Sequence, residues 1–443
     1  MKKTIAAALC MMLLLTSIFG CAGNSLLDSD NPVTLDIWHV YGEQADSPMN
    51  RLIKEFNETA GKEKGIIINV TLMTNAKDVG ALLKAAQKSE PGAPAMPDLF
   101  FAHKSDIENL DKDCIMDWNE VFPENEINGF VEGFLQDGML GEKLAVLPVS
   151  KSTNLLFVNG SQFEKFSAET GVVRSDLVTW KGLFEAAEKY YAFSGGKPMC
   201  TFDYLLNSIK LNAQTKTLYE EPDMTGEEFK SSYLEFMLPF VKGHIAVADM
   251  YSNTQVMTGE TMSGIGSSAA ILYYNDTVTY PDNTTEPTNL TVLPYPKTEG
   301  GKALMSQAGV GLCAYKTTEQ KCEAAYVFAA WLTESQRNTE LVSQTGYMPV
   351  RKDAFGKLQN YNFTQTEYTE LYSVLNEMVR NYTPVSNTNS YGFYGLADEL
   401  YAALRNAQPE WKARYEAGEN ASTLADEAWE IYLKIANRYG NRE

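Results

Sequence analysis

A chain of 443 residues that holds only three histidines, His39, His103 and His244, has few ways to assemble a histidine-based catalytic centre. A serine or cysteine triad would have to draw its general base from those three. No H-E-x-x-H, G-x-S-x-G, Walker phosphate loop or kinase signature occurs. Carboxylate pairs for glycoside hydrolysis stay open, because 57 acidic residues offer many combinations whose spacing in space is not legible in a sequence. Residues 264–269 read GIGSSA, a formal match to a dinucleotide fingerprint without the strand and ribose-binding acid that would frame it. They read instead as a glycine-lined turn in which Ser267, Ser268 and backbone N–H groups open a helix, either facing a polar or anionic ligand or serving as a plain cap. No Cys or His spacing suits zinc, so no catalytic residue, metal or cofactor is expected.

What the residue types do offer is non-covalent binding. A sugar needs flat aromatic faces for its C–H patches and small hydrogen-bonding groups for its hydroxyls. Trp38, Tyr41, Tyr273, Tyr274, Tyr347, Tyr391 and Tyr394 can supply faces, with core packing the competing role, above all for Trp38. Ser150, Ser152, Thr153, Asn154 and Ser267 can supply the hydrogen bonds. His39 reads equally as a ligand and as a satisfied strand-end histidine.

The elements that must position these groups begin with residues 33–42, VTLDIWHVYG, a strand with Val33, Leu35 and Ile37 on one side and Trp38, His39 and Tyr41 at its exit. Asp46 or Ser47 caps a helix that has Pro48 in its first turn and Met49, Leu52, Ile53 and Phe56 at helical spacing. A buried-looking strand from Gly65, a helix over 79–87 and the strand PDLFFAH at 97–103 complete a β-α-β-α-β series, the pattern of a parallel sheet with covering helices. Ligands sit beyond the carboxyl ends of such strands, which here carry His39, Tyr41, His103 and Lys104. Short apolar strands follow at 144–147 and 155–158, separated by SKST, and Thr179 caps a helix bearing Trp180, Leu183, Phe184, Ala187 and Tyr191. Residues 205–262 read as weakly punctuated helix, and the strand-then-proline pattern at Leu147 and Pro148 recurs at 290–297, as two crossings between lobes would. A strand over 308–316, a helix with Ala325, Phe328, Ala329 and Leu332, a turn at 345–353 and a helical remainder finish the chain.

Charge and length narrow the class. The 37 basic and 57 acidic side chains give a net −20, and −22 once Lys2 and Lys3 are removed, which repels phosphate backbones and excludes nucleic acid as a partner of the body. Lys2 and Lys3 precede an uncharged run over residues 5–19, too short to span a bilayer and read as an export leader. It ends in Ile18, Phe19, Gly20 and Cys21, which resembles a bacterial lipobox and implies cleavage before Cys21 and diacylglyceryl attachment to its sulfur. Residues 1–20 are thus the leader and 21–32 a lipidated terminus and tether. Cys114, Cys200, Cys313 and Cys322 read mostly as buried thiols, with a Cys313–Cys322 bridge left open.

Six segments, taken in order, resemble extracellular solute-binding proteins of family 1, the maltose-binding-like receptors of ABC importers. They are LDIWHVYG at 35–42, residues 97–110, residues 141–165, TVLPYPK at 291–297, residues 309–333 and TGYMPVRKD at 345–353. The resemblance implies a two-lobe α/β fold of the periplasmic-binding-protein kind, each lobe a mostly parallel sheet flanked by helices and joined by hinge crossings. The expected lobes are 33–147 with 297–340 and 148–296 with 341–443. It also implies a monomer on the extracytoplasmic face of the membrane, which delivers a sugar or polyol to permease subunits. The WH exit, a serine of VSKST, Ser267, Gly309 and Tyr347 also look like the glycerol-phosphate-binding branch, where a phosphate needs a basic partner. Lys104, Lys151, Arg351 and Arg380 are the candidates. The chain departs from many sugar-binding relatives in having no tryptophan after the glycine-serine turn. The expected site is His39, Tyr41, His103, Ser150, Ser152, Thr153, Ser267, Gly309, Tyr347 and Tyr391. An envelope enzyme acting on glycosides is the alternative of another class.

Overall fold

The computed structural model describes residues 25–39, 41, 47–73, 76–216, 221–249, 251–386, 389 and 391–440. Cys21 and the side chain of Tyr391 lie outside the described residues. Ser47 is the cap of the helix Pro48–Glu58: its Oγ accepts from the Asn50 N–H, and Met49, Leu52, Ile53 and Phe56 are buried. That helix follows the strand Val33–His39, whose alternation puts Val33, Leu35 and Ile37 inside. The strand pairs in parallel with Ile66–Leu72 on one side and Leu99–Ala102 on the other. Gly311–Ala314 joins the far edge of Leu99–Ala102 in the opposite direction, giving a four-stranded sheet.

A second, five-stranded sheet runs in the order Thr291–Leu293, Asn154–Val158, Ser263–Ser267, Cys200–Phe202, Ile245–Val247. Asn154–Val158 is antiparallel to both its neighbours, while Ser263–Ser267, Cys200–Phe202 and Ile245–Val247 run parallel. In each sheet one strand therefore opposes the rest. Two of these strands differ from the sequence reading. Ile245–Val247 lies inside the span read as helix, and Cys200–Phe202 just before it. Each is three residues long, too short for a period of two to register. Of the strand expected over 144–147, only Lys143–Leu144 pairs as a hairpin strand, with Met139–Leu140, while Leu147 makes a single bridge to Leu312. Among the described residues the four cysteines are free: Cys200 and Cys313 are buried in the sheets, Cys114 and Cys322 half-buried, and the Cys313–Cys322 bridge is not formed. Burial pushes the Cys200 thiol up to about 12.

Between the sheets, three stretches of chain lie side by side. Leu147 pairs with Leu312, Ser152 with Ala308 and Lys151 with Met348. Fully buried Asn338 fastens the middle stretch, 147–152, to the one holding Met348, its Nδ2 donating to the Val149 carbonyl at 2.7 Å and its Oδ1 accepting from the Val350 N–H at 2.8 Å. Beyond the second sheet, Asp203 accepts from the Ser252 backbone N–H and so ties the ends of two adjacent strands. Burial raises its pKa to about 6.

Two stability predictions follow from these ties. Replacing Asn338 by Leu leaves a buried carbonyl and a buried N–H unpaired, so the variant should lose about 2–6 kcal/mol in denaturant unfolding. Asp203 is a raised carboxyl, so its favourable contribution is whole below pH 3.8 and is lost as pH climbs through about 6. Asp203→Asn should match the wild type near pH 3.5 and exceed it at pH 8 by up to about 2 kcal/mol, after allowance for solvent screening. Unfolding curves at the two pH values check this.

Candidate ligand-binding cleft

A cavity of about 460 Å³ opens between the two sheets, where the paired crossings form its floor. Tyr41, His103, Ser152, Ser267, Gly309 and Tyr347 line it, although they come from six separate stretches of sequence. Tyr41 is fixed by edge contacts with Phe101 (ring centroids 4.9 Å apart) and Tyr347 (6.4 Å). Burial holds its phenol far above the ordinary range, so it stays a neutral hydroxyl. Gly309 has φ +111°, a conformation that L side chains rarely adopt. Ser267 ends its strand and caps the following 3-10 turn, accepting from the Ala269 N–H at 3.3 Å.

The other expected residues stand behind the wall or outside view. Ser150 is fully buried, with its Oγ 3.2 Å from the Tyr41 hydroxyl. His39 is also fully buried. Its Nδ1 accepts from the Tyr41 N–H at 3.2 Å, so Nε2 carries the proton toward Asn50 Oδ1 at 2.9 Å. Burial lowers its pKa and keeps it neutral. Thr153 is buried, and its carbonyl accepts from the Ser268 N–H at 2.8 Å. Tyr391 opens the helix Tyr391–Glu416.

Several wall residues escaped sequence reasoning. Lys210 sits on the helix Leu205–Gln214, only 5% exposed, and its Nζ donates to Asn389 Oδ1 at 2.7 Å and pairs with Glu221. The mixed sequence LLNSIKL around it gives no signal that this lysine is buried. Gln307 and Asn389 lie in segments without periodicity. The four basic candidates fare differently. Lys151 is buried against Asp137 at 2.5 Å. Arg351 lies over the Phe130 ring at 4.8 Å and donates to the Glu126 carbonyl. Arg380 is exposed at the end of the helix Thr366–Asn381, and Lys104 borders a smaller cavity beside the main one.

The charged side chains of the wall are thus already engaged. Asp106 accepts from the His103 N–H at 2.8 Å, and burial raises its pKa. Burial lowers that of His103, against the pull of Asp106. Three further tyrosines follow the carboxyl ends of the three parallel strands of the second sheet. Tyr204 comes two residues after Phe202, Tyr251 four after Val247, and Tyr273 six after Ser267. They are 37%, 56% and 65% exposed, and Tyr204 also lines the cavity. The described part of the wall offers hydroxyls, amides and aromatic faces beside Lys210, Asp106 and His103.

No curated protein sequence matches the chain. Among solved structures, an extracellular solute-binding protein of family 1 from Alicyclobacillus acidocaldarius superposes with a TM-score of 0.67 at 16% identity, covering 92% of this chain and 99% of that one. The cyclic alpha-maltosyl-1,6-maltose binding protein of Arthrobacter globiformis gives 0.66 at 15%, covering 91% and 100%. UgpB from Mycobacterium tuberculosis, in complex with glycerophosphocholine, gives 0.65 at 16%, covering 92% and 99%. These likenesses establish the two-lobe α/β fold. The family model of the bacterial extracellular solute-binding proteins matches residues 51–363, well over half of the sequence, and the chain belongs to that family.

Proposed function

We propose that this protein is the lipid-anchored receptor of an ABC importer, that it binds a sugar or polyol between its lobes on the extracytoplasmic face, and that it hands the solute to the permease subunits as a monomer without a reaction of its own. The observation that carries this reading is the cleft: hydroxyl, amide and tyrosine groups converge on one cavity in which Lys210 is paired with Glu221 and Asp106 accepts from the His103 N–H. A neutral polyhydroxylated solute suits such a wall, since its hydroxyls need hydrogen-bonding partners of this kind and none of its atoms needs a counter-charge. Tyr204, part of the cavity wall and 37% exposed, can give a sugar ring an apolar face. The work of the receptor is then differential affinity: the solute favours the closed lobe arrangement and the permease reads it. The lobe limits expected from the sequence, the crossings as hinge and diacylation of Cys21 belong to this proposal.

A glycerol-phosphate-type solute is the second reading, favoured by the presence of Lys210 in the wall. The phosphate would then accept from Lys210 beside Glu221 or in its place.

Calorimetric titration against mono- and disaccharides, polyols and glycerol phosphate decides between them. Tyr347→Ala and Ser267→Ala should each weaken carbohydrate binding about tenfold or more, as expected when a polar group buried against a ligand loses its partner. The unliganded proteins should stay folded, with melting temperatures lowered only by the lost Tyr41–Tyr347 ring contact and the lost Ser267 cap, each worth about 1 kcal/mol or less. Unchanged affinity in both variants contradicts the site, and glycerol phosphate binding abolished by Lys210→Met would favour the second reading.

A further inference from the structure

Residues 25–32 belong to the stretch expected from the sequence to be a free tether, yet they are fastened to the first lobe. The Glu323 carboxylate, on the helix Glu319–Leu332, accepts from Ser25 Oγ at 2.7 Å and from the Leu26 backbone N–H at 2.8 Å. One turn away, Gln320 Nε2 donates to the Leu26 carbonyl at 3.0 Å. Leu27 packs against the core. The Asp28 carbonyl then lies so close to Gly65 that a Cβ built there would come within 2.1 Å of it. Gly65, at φ +71°, ends the helix Ala60–Lys64 and accepts from the Val33 N–H at 2.8 Å as the first strand begins. A side chain at position 65 would clash with this path and with its own backbone conformation. By contrast, Leu26 is 47% exposed.

We infer that this clamp makes the lipid leash short and sets the orientation of the body at the membrane; the inference rests on the proposed acylation of Cys21. From Cys21 to Ser25 there are four residue steps, a reach of at most roughly 14 Å. A leash running free to Pro32 would have eleven, or roughly 40 Å. The first lobe therefore rides close to the bilayer, with the Gly65 turn and the first turn of the helix Glu319–Leu332 facing it. Leu26 lies at the interface, where an exposed apolar side chain is stabilised by lipid. The partner surface is the membrane itself. Fixing one lobe leaves closure to the other, so the permease meets a first lobe of constant height and a second lobe that reports occupancy.

The test uses the full lipidated chain in phosphatidylcholine–phosphatidylglycerol vesicles, with two readouts. Hydrogen exchange of the Leu26 amide should be slow in the wild type and in Glu323→Gln, whose remaining oxygen still accepts, and about tenfold faster in Glu323→Ala. Energy transfer from a fluorophore at Lys62, exposed beside Gly65, to a headgroup-labelled lipid should be high in the wild type and fall in Glu323→Ala. Circular dichroism confirms that each variant is folded. Exchange and transfer both unchanged in Glu323→Ala would overturn the clamp, and faster exchange with unchanged transfer would overturn its control of the leash. Cys21→Ala separates the anchor from the clamp. It should release the protein from vesicles while leaving Leu26 protected, whereas a Cys21→Ala chain that stays bound overturns the anchor reading and the leash with it.

Discussion

Three backbone segments that carry the chain between its sheets hydrogen-bond to one another, and the rest of the molecule is arranged around that constraint. Buried backbone groups must find partners, and here those of residues 147–152 find them on Ala308, Leu312 and Met348. Asn338 closes the remaining gap from the side. The same segments supply the cavity floor, since Ser152, Gln307, Gly309 and Tyr347 all lie on them or at their ends. If these crossings are the hinge, as proposed above, a solute seated against these residues would touch it directly, and binding would be coupled to lobe movement through shared residues.

Electrostatics define the solute by exclusion. The body is strongly acidic, with 57 acidic against 37 basic side chains in the whole chain. Around the cleft, however, Lys210 has Glu221, Lys151 has Asp137, and Asp106 has the His103 N–H. A phosphate at Lys210 would compete with Glu221 for the same ammonium, whereas a neutral solute leaves that pair and the buried Lys151–Asp137 pair intact. His39 and Tyr41 are held neutral by burial and add to the wall's preference for uncharged hydrogen bonding.

The sequence was most legible where local rules act. Ser47, Pro48 and the Met49, Leu52, Ile53, Phe56 stripe announce a helix because cap and period are short-range signals. Ser152, Ser267, Gly309 and Tyr347 were placed through the resemblance of ordered segments, and they do meet at one cavity. Distances between segments were not legible. His39 and Ser150 follow the same chain logic as Tyr41 and Ser152 but stand one layer behind, bonded to Asn50 and to Tyr41. Lys210 was hidden because a helix of mixed composition does not say which side faces a cavity. Tyr204 and Tyr251 were hidden because they depend on two three-residue strands that carry no readable period.

The central claim is that an uncharged solute draws the two lobes together about the paired crossings. Small-angle X-ray scattering of the protein with and without the carbohydrate that binds in calorimetry tests it most directly. The account predicts a fall in the radius of gyration that saturates with the same dissociation constant as the heat of binding. A saturating heat signal with an unchanged radius of gyration would contradict it.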